Sequence, residues 1–192
     1  IENKLSRENM PGFSEISESS VAREGVITIG YFGVLRCGNS WEILRRVAER
    51  SNGRVRVLVR GYPLVPKDLV QLIDDCPDIT YGGTYRSPEE LPDLYQSVDV
   101  VWACYPVVDQ QVEHWRWART NRFYEALFFN KPLISRVESA DGIAVDKFGV
   151  GICVDPIDIE STVQQLLNIT EAQINSWRER ASLVPDGVYV YT

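Results

Sequence analysis

Histidine is almost missing from this chain: His114 is the only one among 192 residues. Chemistry that shuttles protons through carboxylates and histidines in a cleft is therefore poorly supplied. The four cysteines, Cys37, Cys76, Cys104 and Cys153, stand far apart with no C-x-x-C pair. That spacing indicates neither a zinc site nor a disulfide framework and fits reduced thiols in the cytoplasm. No stretch approaches the roughly 20 apolar residues of a membrane span, and no charged-then-apolar leader opens the chain. Positive charge is also in short supply. With 20 basic against 27 acidic residues and a net charge of −7, the chain disfavours a broad nucleic-acid footprint, so an anionic ligand has to be held locally. Internal repeats and low-complexity tracts are absent as well.

What is present is enough for one domain, since 44% of the residues are hydrophobic. The first segment, residues 1–24, is polar and rich in Ser, Glu and Asn, which reads as a linker from a preceding N-terminal domain. Residues 25–184 are expected to form the folded domain, with 185–192 as a tail. Val26 to Phe32 is a β-branched and aromatic run that predicts a first strand stopping at Gly33. Helical spacing follows from Asn39, with Asn39 or Ser40 as its cap, and Asn52-Gly53 ends it. Val55 to Val59 predicts a second strand closed by Arg60-Gly61-Tyr62-Pro63, then a helix over Pro66 to Asp75. The cycle continues with strands at Ile79 to Tyr81 and Val98 to Trp102, separated by a helix that starts near Ser87-Pro88. After an irregular stretch come a helix from Asn121 to Phe129, strands at Pro132 to Ser135 and Gly151 to Val154, and helices at Ile159 to Leu167 and Glu171 to Ala181. Alternation of this kind gives an α/β fold, a Rossmann-like doubly wound parallel sheet flanked by helices. Ligands of such sheets lie beyond the carboxyl ends of the strands.

Three groups of residues near those ends could carry chemistry. Gly33-Val34-Leu35-Arg36-Cys37-Gly38 sets one Arg between glycines, able to hold a phosphate through N–H groups and a guanidinium or simply to make a tight turn. It is not the G-x-G-x-x-G dinucleotide fingerprint. In Glu113 to Glu125, Arg116, Arg119 and Arg122 recur every three residues, which makes either a local anion site or a solvated helix face. Glu125, read as an exposed first-turn carboxylate, either answers the helix dipole or accepts the paired hydroxyls of a ribose. His114 reads as incidental, and Trp115 and Trp117 as a shield for the site or a face toward another domain.

The order GYFGVLR, VRVLVRGYP, ITYGGTYRSPEELPDLYQSVDVVWA, NRFYEALFFNKPLIS and FGVGICVDPID resembles the C-terminal domain of family 4 glycosyltransferases of the GT-B type, especially those of bacterial capsule and exopolysaccharide synthesis. The resemblance covers roughly Val26 to Leu167. It implies that Glu125 is the second glutamate of the E-x7-E motif, holding the donor ribose, and that Arg36 contacts the donor diphosphate. It implies further that Tyr85 and Arg86 cup the base, that Asn121 and Arg122 lie beside the phosphates, and that Gly33 and Gly61 line the donor site. Trp117 stands where the first glutamate of that motif is expected, and the lysine that usually follows the Arg36 position is absent.

By that resemblance the chain is the donor-binding half of a retaining hexosyltransferase. The donor is a nucleoside-diphosphate sugar of UDP or GDP type, with no further cofactor and no metal site. The acceptor, a glycan or polyprenyl-linked sugar, belongs to an N-terminal domain, and the fragment alone is expected to be inactive. A cytoplasmic location, with peripheral attachment at the inner face of the membrane, goes with that role. Two alternatives use the same residues: a degenerate non-catalytic module in polysaccharide assembly, or a sugar-nucleotide epimerase of the same architecture. A receiver domain is disfavoured because Val26 to Gly33 contains no Asp.

Overall fold

A computed structural model of the chain describes residues 4–9, 25–104 and 117–191. Its centre is a six-stranded, all-parallel sheet ordered β3-β2-β1-β4-β5-β6, formed by β1 (Ile27–Arg36), β2 (Val55–Val65), β3 (Ile79–Tyr81), β4 (Val100–Trp102), β5 (Leu133–Arg136) and β6 (Gly151–Val154). This is the Rossmann order, and its reversal point lies between β1 and β4. Among the described residues, seven α-helices connect the strands or close the chain: α1 (Gly38–Arg50), α2 (Leu69–Ile73), α3 (Leu91–Gln96), α4 (Asn121–Phe128), α5 (Ala140–Phe148), α6 (Ile159–Leu167) and α7 (Glu171–Ala181).

Central parallel strands are covered on both faces, so their sequences are apolar nearly throughout instead of alternating. Ile29, Tyr31, Val57 and Val59 point to one side, where Trp41, Leu44 and Val47 of α1 and Val163 and Leu166 of α6 close the core. On the other side Phe32, Val101 and Leu133 pack under Leu91, Leu94 and Tyr95 of α3 and Phe123, Tyr124 and Leu127 of α4, with Ala144 and Val145 of α5. Burial of each large aliphatic or aromatic side chain contributes about 1.5–3 kcal/mol before the entropic cost of ordering is counted.

The first strand does not stop at Gly33. It continues to Arg36 and stays paired with β2 as far as Val65, with Gly33 directly opposite Gly61. Both glycines have positive φ, +97° and +136°. A Cβ at Gly61 would lie 1.9 Å from the Gly33 carbonyl oxygen, so a glycine at 61 lets the two strands run on together at this distance. The expected phosphate turn over residues 33–38 is thus a strand continuation. Helix α1 accordingly begins at Gly38, capped by Cys37 instead of Asn39 or Ser40, with the Cys37 Sγ accepting from the Ser40 N–H at 3.4 Å. Likewise α2 covers only the middle of the Pro66 to Asp75 segment, and α3 starts at Leu91, after a turn through Ser87-Pro88.

One element went unanticipated. Helix α5 lies between β5 and β6, capped by Ser139, whose hydroxyl accepts from the Gly142 N–H, and closed by Gly149 in the left-handed region at φ 64°. At the chain ends, residues 4–9 lie against 186–191. Leu5 exchanges backbone hydrogen bonds with Tyr189 and Tyr191, Lys4 donates to the Gly187 carbonyl, and Arg7 pairs with Asp186. No helix among the described residues is long and apolar enough to cross a membrane.

Candidate functional site

Helix α4 begins beyond the carboxyl end of β4, at the reversal point of the sheet. Its first turn is fixed twice. Thr120 is the N-cap, its hydroxyl accepting from the Phe123 N–H at 3.0 Å. The Thr120 N–H in turn donates to Asp141 Oδ2 at 3.0 Å, so the first turn of α5 braces the start of α4. Asp141 is 1% exposed, and burial raises its carboxyl to about 6. Its Oδ1 has no hydrogen-bond partner among the described residues.

Arg122 and Glu125 are three residues apart on α4 and share a helix face. Arg122 Nη1 donates to the Phe32 carbonyl at 2.7 Å, which lays the guanidinium across β1 just past its pairing with β4. A Cβ on Gly33 would come within 2.9 Å of that Nη1 and 3.9 Å of the Tyr85 hydroxyl. Gly33 therefore keeps the space into which Arg122 and Tyr85 converge. The Nε of Arg122 is buried and lacks a hydrogen-bond partner among the described residues. It is a cationic donor at the reversal point of the sheet with capacity in reserve.

Glu125 is neither exposed nor in the first turn. It sits one turn further along α4 and is 7% exposed, with Oε2 accepting from the Tyr95 hydroxyl at 2.7 Å. The correction follows from helix phase: with Thr120 as N-cap, Glu125 is the fifth helical residue and faces α3, not solvent. Burial raises its pKa above the usual carboxylate range, against the opposing pull of Tyr95 and Arg122. Tyr85 stands close enough to feel Glu125 and Arg122, and burial pushes its phenol up to about 12. Both tyrosines are therefore neutral hydrogen-bond donors at physiological pH.

Gly33, Tyr85, Arg122 and Glu125 are thus brought together, with Gly61 beside Gly33. Asn121, exposed, opens the same helix. Arg86 turns away, pairing with Glu90 at 2.9 Å, and Glu90 also receives Arg60 at 3.1 Å. Arg60 in addition donates to the Gly83 and Thr84 carbonyls and so shapes the loop that carries Tyr85. Arg36 ends β1 opposite Val65, at a shift in strand register and three residues beyond Gly33. The guanidinium of Arg119 stacks on the Phe123 ring, 4.6 Å from its centroid, and Trp117 is 67% exposed just before α4. Glu113, His114, Trp115 and Arg116 lie outside the described residues. Among those described, no three His, Cys, Asp or Glu side chains gather as metal ligands.

Two contributors were not legible beforehand. Tyr95 carries no motif, and a tyrosine at helical spacing reads as core. Asp141 sits in a helix whose weak amphipathicity hid it.

No protein-family model matches the chain. A curated relative, the succinoglycan biosynthesis protein ExoL of Rhizobium meliloti, is 26% identical over 167 residues, covering 85% of this chain and 40% of its own length. The chain thus spans less than half of that relative. Among solved structures, the C-terminal domain of a glycosyl transferase group 1 family protein, LpcC of Francisella tularensis, superposes with a TM-score of 0.62 at 18% identity, covering 86% of this chain and 87% of that one. Anabaena HepE, solved with UDP and glucose, gives a TM-score of 0.60 at 15% identity, over 86% of this chain and 45% of that one. The fold is that of a GT-B Rossmann-like domain.

Proposed function

We propose that this chain is the donor-binding domain of a two-domain glycosyltransferase in polysaccharide assembly, holding a nucleoside-diphosphate sugar at the reversal point of the sheet, beside Gly33. The observation that carries this reading is the convergence of Arg122 and Tyr85 on the side-chain-free Gly33 at the sheet's reversal point, with Glu125 beside both. Such a site offers what a nucleoside diphosphate needs. Arg122 and the positive end of α4 suit the phosphates, Glu125 suits a pair of ribose hydroxyls, and the Tyr85 loop suits the base. The kinship with ExoL and the UDP bound to HepE agree with this chemistry.

In transfer, the donor's glycosidic C–O bond to the β-phosphate breaks, the sugar passes to an acceptor hydroxyl and the nucleoside diphosphate leaves. Its growing negative charge would be met by Arg122 and the α4 N-terminus, donors already oriented before the reaction. A retaining course, a hexose as transferred group and charge stabilisation without a metal belong to the same proposal, as does an acceptor domain elsewhere in the polypeptide. Trp117 in place of the first glutamate of the E-x7-E motif gives the degenerate-module alternative its specific support.

The test is a titration of the chain with UDP, GDP and inorganic pyrophosphate, followed by backbone amide shifts and by tryptophan fluorescence. Saturable binding that prefers one nucleotide over pyrophosphate and moves Gly33, Tyr85 and Asn121 to Glu125 is expected. Equal, non-saturating responses to all three ligands would sink the proposal.

A further inference from the structure

The mutual arrangement of Tyr95 and Glu125 goes further than the reading above, on which it rests. Tyr95 has no exposure, its ring stacked on Phe129 at 5.0 Å and 18° and set edge-on against Phe32 at 5.5 Å and 74°. With its ring held between these two, Tyr95 donates its hydroxyl to Glu125 Oε2 at 2.7 Å. The other carboxylate oxygen, Oε1, has no hydrogen bond among the described residues, while Glu125 keeps a 7% opening to solvent. A glutamate has three side-chain torsions, and a buried one with a free choice of rotamer would either seek another donor or protonate. The bond from Tyr95 works against both outcomes. It selects one rotamer, and as a charge-assisted contact it favours the ionised form against the cost of burial.

We propose that Tyr95 is the positioning residue for ribose recognition: by occupying Oε2 it aims the ionised Oε1 of Glu125 at the paired hydroxyls of the donor ribose. A polar group built to accept a hydroxyl discriminates strongly against an analogue that lacks it, provided that the acceptor is fixed and charged. Tyr95 supplies both conditions without touching the ligand.

The experiment compares UDP with 2′-deoxy-UDP and 3′-deoxy-UDP, or the GDP series if the chain prefers guanine, on the wild-type chain and on Tyr95→Phe. That substitution removes one oxygen and leaves the ring packing. Wild type is expected to prefer the ribonucleotide by about tenfold or more. In Tyr95→Phe the ratio should collapse to about threefold or less, and what selectivity is left should vanish at a higher pH than in wild type, because the carboxyl then protonates more readily. A merely structural tyrosine would weaken all the nucleotides in parallel and leave the ratio and its pH profile unchanged, which would overturn the proposal. If Tyr95→Phe fails to fold, Phe129→Leu loosens the stacked ring with both polar partners intact. A lowered ratio there supports the positioning role, and an unchanged one refutes it. Absence of any ribose selectivity in wild type would overturn the donor-site reading itself, and this inference with it.

Discussion

Asp141 and Glu125 show how far a carboxylate's meaning depends on what surrounds it. Both are buried, and burial raises both pKa values, to about 6 for Asp141. A carboxyl whose folded pKa exceeds its unfolded value binds more protons in the native state, so stability falls as pH rises through the window between the two values. For Asp141 that window runs from 3.8 to about 6. Within it, stability should fall by up to about 1.4 kcal/mol per pH unit as pH rises. Asp141→Asn keeps an acceptor for the Thr120 N–H and should flatten that slope and raise stability at neutral pH, as urea unfolding at pH 4 to 7 would show. Identical slopes for wild type and Asp141→Asn would contradict the assignment. The glycine pair gives a second contrast. Gly61→Ala meets the Gly33 carbonyl, which is backbone and cannot yield, whereas Gly33→Ala meets only the guanidinium of Arg122. Each forces a side chain to positive φ, at a cost of about 1–3 kcal/mol, and Gly61→Ala adds a steric clash. The thermal midpoint should therefore fall further for Gly61→Ala, while Gly33→Ala should cost relatively more nucleotide affinity.

Among the elements, α4 is the one on which the site depends, and its first turn is held by Thr120. Thr120→Ala removes the cap from the Phe123 N–H and should destabilise the domain by about 1 kcal/mol. Binding should weaken as well, since Arg122 and Glu125 ride on that helix. A variant with lower stability and full nucleotide affinity would show that α4 can fray without moving the site. Most elements were readable in advance because their signals are local. β3, β6, α6 and α7 lie within a residue or so of their expected bounds, set by apolar runs, by Asp158 and by the Thr170 capping box. Helix α5 escaped because it is apolar on several sides, with Ala140, Ile143, Ala144 and Val145 spread around it. Its only sharp signals were Ser139 and Gly149 at its ends. The overrun of β1 and β2 escaped for another reason. Glycine and proline normally end a strand, and only the opposing register of Gly33 and Gly61 reveals that here they extend one.

At the scale of the whole molecule, the chain ends are tied to each other. Two backbone hydrogen bonds at Leu5, the Lys4 to Gly187 contact and the Arg7 to Asp186 pair close the segment 4–9 onto 186–191. The Tyr189 ring meets Phe128 of α4 edge-on, with centroids 6.4 Å apart. Removing residues 1–9 should lower stability by about 1–2 kcal/mol, since the two backbone bonds count for about 1 kcal/mol each and the exposed ion pair for little. That corresponds to a fall of about 2–8 °C in Tm for a domain of this size, with nucleotide selectivity unchanged. An unshifted Tm would mean that this clasp does not form in solution.

Composition and periodicity by themselves determined the fold class, the sequence of strands and helices, and the neighbourhood in which to look for a ligand, because hydrophobic pattern and crossover handedness are properties of short segments. The motif from Asn121 to Glu125 likewise singled out its own residues. What only the tertiary structure decided is which way those residues face and what they touch. Glu125 became a buried, tyrosine-held carboxylate, Arg122 a guanidinium laid on β1 at Phe32, and Arg86 a partner of Glu90. The reason is physical. A side chain's charge state and direction follow from neighbours that lie 30 and 90 residues away along the chain, at Tyr95 and Phe32, and no local pattern encodes such meetings.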